Sequence, residues 1–255
     1  MLTRHADRET IAGFAKGLRV IEVFDGDRQR LTITEVSRLA GLERATARRC
    51  LLTLVREGYA GFDGKYYWLL PRVLRLGFAY LSSTPLPRLV QPFLEQLAQE
   101  TDESCSASIL DGPEIVYIAR ASQRRVMSIG LSVGSRLPAY CASMGRVLLA
   151  ARPEKEQRAL LALLPREKRT SRTLVEEADL LAELGRIGER GFAMIDQELE
   201  PGLRSIAVPL IDGAGLVVGA INIGAQAERV TLETMRETFL PKMLRIQAEL
   251  RRLLV

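Results

Sequence analysis

The chain has 255 residues, 47% of them hydrophobic and 26% charged, with a formal net charge of +5. That length exceeds a typical single domain, so two domains with separate cores are expected, and the ordinary composition says only that the chain folds. No run of about 18 apolar residues exists to span a bilayer, and the N-terminus MLTRHADRET lacks an apolar signal core. A cytoplasmic location with no membrane partner is expected.

The charge is unevenly placed. Residues 1–84 hold 14 Lys+Arg against 9 Asp+Glu, and residues 85–255 hold 22 of each, so all of the net +5 lies before the Ser-Ser-Thr-Pro-Leu-Pro break at Thr84. A basic small domain joined to a neutral larger one points to an anionic partner for the former, of which nucleic acid is the commonest. Cys50, Cys105 and Cys141 are odd in number and far apart, and His5 is the only histidine. That pattern speaks against a disulfide framework or a Cys/His zinc site, and no metal or other cofactor is expected.

In chain order, residues 11–24 place Phe14, Leu18, Ile21 and Val23 at helical spacing before an Asp25-Gly26-Asp27 turn signal, which predicts a first helix. Thr32 or Thr34 can cap a second, with Glu35 in its first turn, Val36, Leu39 and Ala40 facing inward and Gly41 ending it. A third helix over 43–57 turns Ala47, Cys50, Leu51, Leu54 and Val55 to one side and Ala45, Arg49, Leu52, Thr53 and Arg56 to the other. Arg48 lies on its flank and Arg44 at its exposed first turn. After Gly58, YAGF and KYYWLL predict a hairpin turning at Asp63-Gly64.

Tandem helices followed by such a hairpin predict a winged helix-turn-helix. A helix entering the major groove offers its N-terminal residues to base edges and its guanidinium groups to guanine or phosphate. The candidate DNA contacts are therefore Thr34, Arg44, Ala45, Thr46, Arg48, Arg49 and Arg56, with Lys65 of the wing near a phosphate. A solvated Arg-rich face is the alternative for the third helix alone; its neighbours favour a reader of double-stranded DNA.

Pro71 opens an apolar helix, PRVLRLGFAYLSS, which predicts a linker packed between domains or against a second subunit. Beyond it an amphipathic helix over 85–100 precedes strand-like SCSASIL, EIVYIAR and RVMSIGL, a loop GSRLPAY and a small-residue helix CASMGRVLLAA. Helices over 154–163 and 176–190, strands FAMID, RSIAVPLI and LVVGAINIG, and a closing helix over 232–253 complete an α+β order with a mainly antiparallel sheet, the layout of GAF-type sensor domains. The expected domains are residues 1–70 for DNA binding, 71–84 as linker helix and 85–255 as effector-binding domain.

Catalysis has little support. Ala142-Ser143-Met144-Gly145 lacks the leading Gly of a nucleophile elbow, and no downstream histidine can serve Ser143, Cys105 or Cys141 as a base. Asp196, Glu198 and Glu200 alternate along an extended segment, but without His or Cys a solvated edge or pocket rim is favoured over a metal site.

GLRVIEVF, LTITEVSRLAGLERATARRCLLTLVREGY, LPAYCASMGRVLLA, GFAMIDQELEPGLRSIAVPL and GAINIG resemble, in order, the IclR family of bacterial transcriptional regulators, from about residue 13 to 253. RLPAYCASMGRVLLA and DQELEPGLRSIAVPL resemble the branch that senses protocatechuate, 4-hydroxybenzoate or β-ketoadipate. The resemblance implies a linker helix used in dimerisation, with dimers or tetramers, and a GAF-like pocket taking a small organic acid. Carried over, that pocket includes Met127, Ser128, Ile129, Tyr140, Cys141, Ala142, Ser143, Ile195, Asp196, Ser205, Asn222 and Gly224.

The chain departs from the family pattern in several places: Tyr140 where many members have His, Arg146 for Lys, Ser205 for Cys, and Asn222 and Gly224 for Ser. A small acid needs an apolar wall, donors and a countercharge. Tyr140, Met127 and Ile195 can supply wall, Ser143, Ser205 and Asn222 donors, and Arg136 or Arg204 charge, though either Arg can equally be a surface residue or a partner of Glu198 or Glu200. The reading is a ligand-responsive regulator of aromatic-acid catabolism; the alternative is an enzyme carrying a helix-turn-helix as an interaction or autoregulatory module.

Overall fold

Helix α1 (Ala12–Glu22), α2 (Ile33–Ala40) and α3 (Arg44–Arg56) precede a hairpin of β1 (Ala60–Phe62) and β2 (Tyr67–Leu69) in the computed structural model, which describes residues 10–122 and 130–254. They belong to the first of two units, Met1–Ser83 and Thr84–Val255. Of the two threonines able to start α2, Thr32 does so. Its Oγ1 accepts from Glu35 N at 3.4 Å and Glu35 Oε2 accepts from Thr32 N at 2.8 Å, a reciprocal capping box. Gly41, at φ 60°, ends α2 in a left-handed conformation that glycine adopts without strain, and α3 begins three residues on.

Val20, Val36, Ala47, Leu51, Leu54, Ala60 and Tyr67 form the buried core of this unit. Leu31 exchanges backbone hydrogen bonds with Tyr67, which ties the wing to the segment before α2. The wing turns one residue later than the Asp63-Gly64 pair predicts. Asp63 N donates to Tyr66 O, so Gly64 and Lys65 are central, and the Asp63 carboxylate accepts from Lys65 N (3.0 Å) and Tyr66 N (2.8 Å). Local side-chain bonding by Asp63 thus sets the corner. A Cβ on Gly61 would stand 2.3 Å from the Trp68 ring, so glycine is what lets that ring lie across β1. A 3-10 turn (Pro71–Val73) leads into α4 (Leu74–Ser83), on which Leu74, Leu76 and Phe78 are exposed.

The second unit starts with α5 (Pro85–Thr101), whose Leu86, Val90, Leu94 and Leu97 form one buried stripe. Next come β3 (Ser104–Asp111), β4 (Glu114–Ala121), β5 (Arg136–Pro138), a 3-10 turn (Ala139–Cys141), α6 (Ser143–Ala150), α7 (Glu154–Leu161) and α8 (Glu177–Arg190). Then β6 (Ala193–Asp196), β7 (Leu203–Ile211), β8 (Val217–Gln226) and α9 (Leu232–Thr234) precede α10 (Leu240–Leu253). The strands form one antiparallel sheet in the order β5-β4-β3-β8-β7-β6.

Two expectations change. The strand predicted in RVMSIGL falls largely outside the described residues, and Arg136–Pro138, predicted as loop, pairs with β4 as the edge strand. The predicted closing helix is interrupted by a π turn at Met235–Phe239, directly before Pro241, which has no N–H to continue a regular ladder.

The sheet separates two cores. Cys105, Ala107, Ile206, Val208, Ile221 and Ile223 pack with α5 and α10 on one face. On the other, Ile115, Tyr117, Leu203, Ala207 and Ala220 pack with α6 and α8. We expect Thr32→Ala to lower stability by about 1 kcal/mol, because it removes the capping box, when unfolding is followed in urea.

Candidate functional site

On α3, Arg44, Ala45, Arg48 and Arg56 are exposed. Arg49 is exposed as well, and with the half-buried Thr46 it borders an apolar groove shared with Phe14 and Leu18 of α1, one side of the helix away from Arg48. Thr34 is exposed at the start of α2, and Lys65 is exposed at the wing tip with its ammonium 4.8 Å from the Tyr66 ring centroid. Arg30 reinforces the wing: it pairs with Asp63 and stacks 4.7 Å above the Trp68 ring.

The second unit holds a small, partly open cavity between the sheet and the N-terminal end of α6. Its floor follows from strand alternation. In the sequence Ser104-Cys105-Ser106-Ala107-Ser108, the cysteine and Ala107 enter the α5/α10 core and the serines turn to the other face. Register then aligns Arg120 of β4 with Ser106 of β3 and Ser106 with Asn222 of β8, while Gly224 stands between Ser104 and Ser205. Four strands thereby place a polar row on an otherwise apolar face.

Arg120 is the cation in this cavity. Its Nη1 donates to Ser106 Oγ at 3.2 Å, and no carboxylate among the described residues pairs with it. Ser143 Oγ, on a residue 2% exposed at the first position of α6, and Asn222 Oδ1 have no hydrogen-bond partner among the described residues. Both line the cavity. Burial pushes the Tyr117 phenol up to about 12, so it stays a neutral hydroxyl. Burial likewise pushes Cys105 up to about 12 and Cys141 to about 11, so neither is a thiolate at neutral pH.

Of the pocket residues suggested by the sequence, Cys141, Ala142, Ser143, Ser205, Asn222 and Gly224 line this cavity. Met127, Ser128 and Ile129 lie outside the described residues. Others are corrected. Arg136 neighbours the inward-facing Leu137 and so points away, held by Glu114 and Asp111 at 2.8 Å each. Arg204 neighbours the inward-facing Ser205 and is occupied by Asp196 (2.7 Å) and Val230 O (2.6 Å). Asp196 is thus consumed by Arg204 and Arg172, and Ile195 sits on β6, one strand beyond the cavity. Tyr140 lines a separate apolar cleft, where its hydroxyl donates to Glu167 O at 2.6 Å.

Asp196, Glu198 and Glu200 do not converge, because β6 ends at Asp196 and Gln197 takes a left-handed φ of 61°. Glu198 turns into the protein, where its two carboxylate oxygens meet Arg146 Nη1 (2.8 Å) and Nη2 (2.5 Å). Arg146 Nε donates to Tyr140 O (2.8 Å), and Glu198 Oε2 also accepts from Leu174 N (3.0 Å). This buried pair fixes the turn that delivers Ser143 to the cavity.

The chain matches the family described as bacterial transcriptional regulator IclR C-terminal over residues 78–250 and the IclR helix-turn-helix domain over residues 14–64. It belongs to the IclR family. It is 44% identical over 245 residues to the Pca regulon regulatory protein of Pseudomonas putida, covering 96% of this chain and 84% of that one. Protein RHA06195 from Rhodococcus sp. RHA1 has a TM-score of 0.81 at 44% identity, over 96% of this chain and 98% of that one. An IclR homolog from Microbacterium hydrocarbonoxydans, solved with 4-hydroxybenzoate, has a TM-score of 0.76 at 27% identity over 94% and 100% of the two chains.

This IclR-family chain is therefore a ligand-responsive DNA-binding transcriptional regulator and not an enzyme. Sequence reasoning missed Arg120 and the Ser104/Ser106 floor. Two signals were available: period-2 serines in SCSAS and one arginine closing the apolar run EIVYIAR. Neither shows which strands will be neighbours.

Two outcomes are expected. Glu198→Ala leaves Arg146 buried without its carboxylate and should cost about 3–5 kcal/mol in urea unfolding, whereas Arg146→Met with Glu198→Leu should cost far less. Burial works against the Asp196 charge, but Arg204, Gln197 and Arg172 outweigh it and hold the carboxyl below its ordinary 3.8. Its contribution to stability is present above that value and is lost as pH falls through the lower folded value. Asp196→Asn should therefore be less stable than the parent at neutral pH, with the difference in thermal melts vanishing as pH falls through the lowered folded value.

Proposed function

We propose that the cavity beneath α6 holds the effector and that the effector is a small aromatic carboxylic acid whose carboxylate pairs with the Arg120 guanidinium. The observation that carries this reading is a half-buried cation with no carboxylate partner among the described residues, set in a cavity whose lining joins apolar Ile115, Leu137 and Leu203 to the hydroxyls of Ser106 and Ser143. Such a site suits an anion on a flat apolar body. The 4-hydroxybenzoate bound by the Microbacterium homolog, and the Pca regulon named for the Pseudomonas relative, support control of aromatic-acid catabolism genes.

On the DNA side, residues 1–70 form the reading domain, with Arg44, Ala45, Arg48 and Arg56 of α3 toward the operator and Thr34 and Lys65 contacting backbone. Thr46 and Arg49 sit at the edge of that surface. Residues 71–84 form the linker, and its exposed Leu74, Leu76 and Phe78 support assembly as a dimer, or as a pair of dimers, through this helix. Residues 85–255 form the effector domain.

In a thermal-shift panel, 4-hydroxybenzoate or protocatechuate should raise the melting temperature of the full chain, and Arg120→Gln should abolish the rise. No shift with any aromatic acid would remove this reading. Binding to operator DNA should weaken steeply with salt, and Arg48→Ala should lower affinity about tenfold or more and flatten the salt dependence by about one ion. Unchanged affinity and slope would sink the assignment of that face of α3.

A further inference from the structure

We propose that Arg30, on the outer face of the wing, grips a phosphate of the DNA backbone with a guanidinium that Trp68 and Asp63 hold in place. The inference rests on the reading that the wing lies against DNA, and it adds a contact from outside the hairpin, in the segment before α2.

Strand alternation decides which face Arg30 joins. Leu31 pairs through its backbone with Tyr67, and both side chains turn into the core of the first unit. Their chain neighbours Arg30, Tyr66 and Trp68 therefore turn outward. There the Arg30 guanidinium stands 4.7 Å from the Trp68 ring centroid and 5.8 Å from that of Tyr66. The Trp68 ring lies across Gly61, its partner in register, so the platform under Arg30 is fixed by the hairpin itself.

A guanidinium stacked on a ring keeps its donors for other partners, because the stack uses the face of the group and the N–H bonds lie in its edge. Only Nη2 of Arg30 is engaged, by the Asp63 carboxylate; Nε and Nη1 have no hydrogen-bond partner among the described residues. Arg28, two residues earlier, gives the contrast, since its Nε (2.8 Å) and Nη2 both donate to Asp25. Arg28 is tied back to its own turn, whereas Arg30 keeps two nitrogens to offer. A planar fork of this kind matches two oxygens of a phosphate. The anion is DNA because this unit carries the chain's net positive charge and matches the helix-turn-helix domain. Stacked flat on the wing, the guanidinium cannot reach into a groove, so it meets the backbone.

The alternative is that Arg30 only braces the wing corner. An ion pair with both members exposed adds little to stability, and the corner is already set by the Asp63 bonds to Lys65 N and Tyr66 N. Asp63 aims the fork while its charge opposes the phosphate, and this separates the two roles by sign. Loss of the Asp63 charge weakens DNA binding if Arg30 is a brace and strengthens it if Arg30 holds a phosphate.

The test is fluorescence anisotropy of the full chain over a salt series with two duplexes, one of random sequence and one selected by the parent from a random pool, with thermal melts of every variant. Arg30→Gln should weaken both duplexes about tenfold and flatten the salt dependence by about one ion, with little change in melting temperature. Asp63→Asn, whose amide oxygen still accepts from Lys65 N and Tyr66 N, should tighten both duplexes about threefold, and the gain should vanish when Arg30→Gln is added. Unchanged affinity and slope in a folded Arg30→Gln overturn the inference. Weaker binding by a folded Asp63→Asn, or a gain that survives in the double variant, does the same, as does a loss in Arg30→Gln confined to the selected duplex. Arg48→Ala is the control: if it weakens binding and Arg30→Gln does not, the assignment of α3 stands and this inference alone fails.

Discussion

A guanidinium 1% exposed loses several kcal/mol of hydration, and Arg146 is tolerated only because its surroundings replace water bond for bond. Two parallel bonds to Glu198 and one to Tyr140 O use all three nitrogens. Glu198 in turn is held by Leu174 N, and its backbone carbonyl by Thr173 Oγ1. One ion pair thus joins α6, the turn before it, the loop after β6 and the segment before α8. An apolar pair of equal volume could match its stability but would not dictate where the Tyr140 carbonyl points. The bonds give the turn from Tyr140 to Ser143 one conformation, and Gly145 lets it pack close, since a Cβ there would fall 2.3 Å from Ala139 O.

That rigid turn matters because it roofs a floor of a different kind. The centre of the sheet is polar on the α6 side and apolar on the other, and the change is made by single-residue alternation along β3 and β8. Most buried polar atoms here are satisfied inside the protein. Among the described residues, Ser143 Oγ and Asn222 Oδ1 are unpartnered, and both line the same cavity as Arg120. Unmet hydrogen bonds are costly, so finding two in one cavity supports the proposal that a ligand completes it. A ligand can then bias the regulator only by binding one arrangement of the protein more tightly than another. A roof that ends in a helix N-terminus and a floor fixed by four strands give such a difference a structural basis.

The first unit follows simpler rules. Capping box, glycine stop, Arg-bearing helix and wing are each set by residues within a few positions of one another, and the core of Val36, Leu51 and Tyr67 holds them. The one local surprise, the shift of the wing turn to Gly64-Lys65, came from the Asp63 side chain competing for the corner. The groove beside Arg49 shows the limit of a helical wheel: it separates buried from exposed, but only the position of α1 decides that one exposed side borders another helix.

The sequence by itself therefore determined the family, the order of elements and the α+β class, because these rest on local periodicity, caps and turns that act within about ten residues. It also marked Ser143, Ser205 and Asn222 as pocket residues through resemblance. Tertiary structure alone decided which charges were available. Arg136 and Arg204 carry the right chemistry, but each sits next in chain to a residue that faces the cavity, so alternation sends them to the opposite side and into ion pairs. Arg120 had no local mark of function. It became the cavity's cation because register set it beside Ser106 and Asn222, residues 14 and 102 positions away in the chain, and no one-dimensional pattern encodes that adjacency.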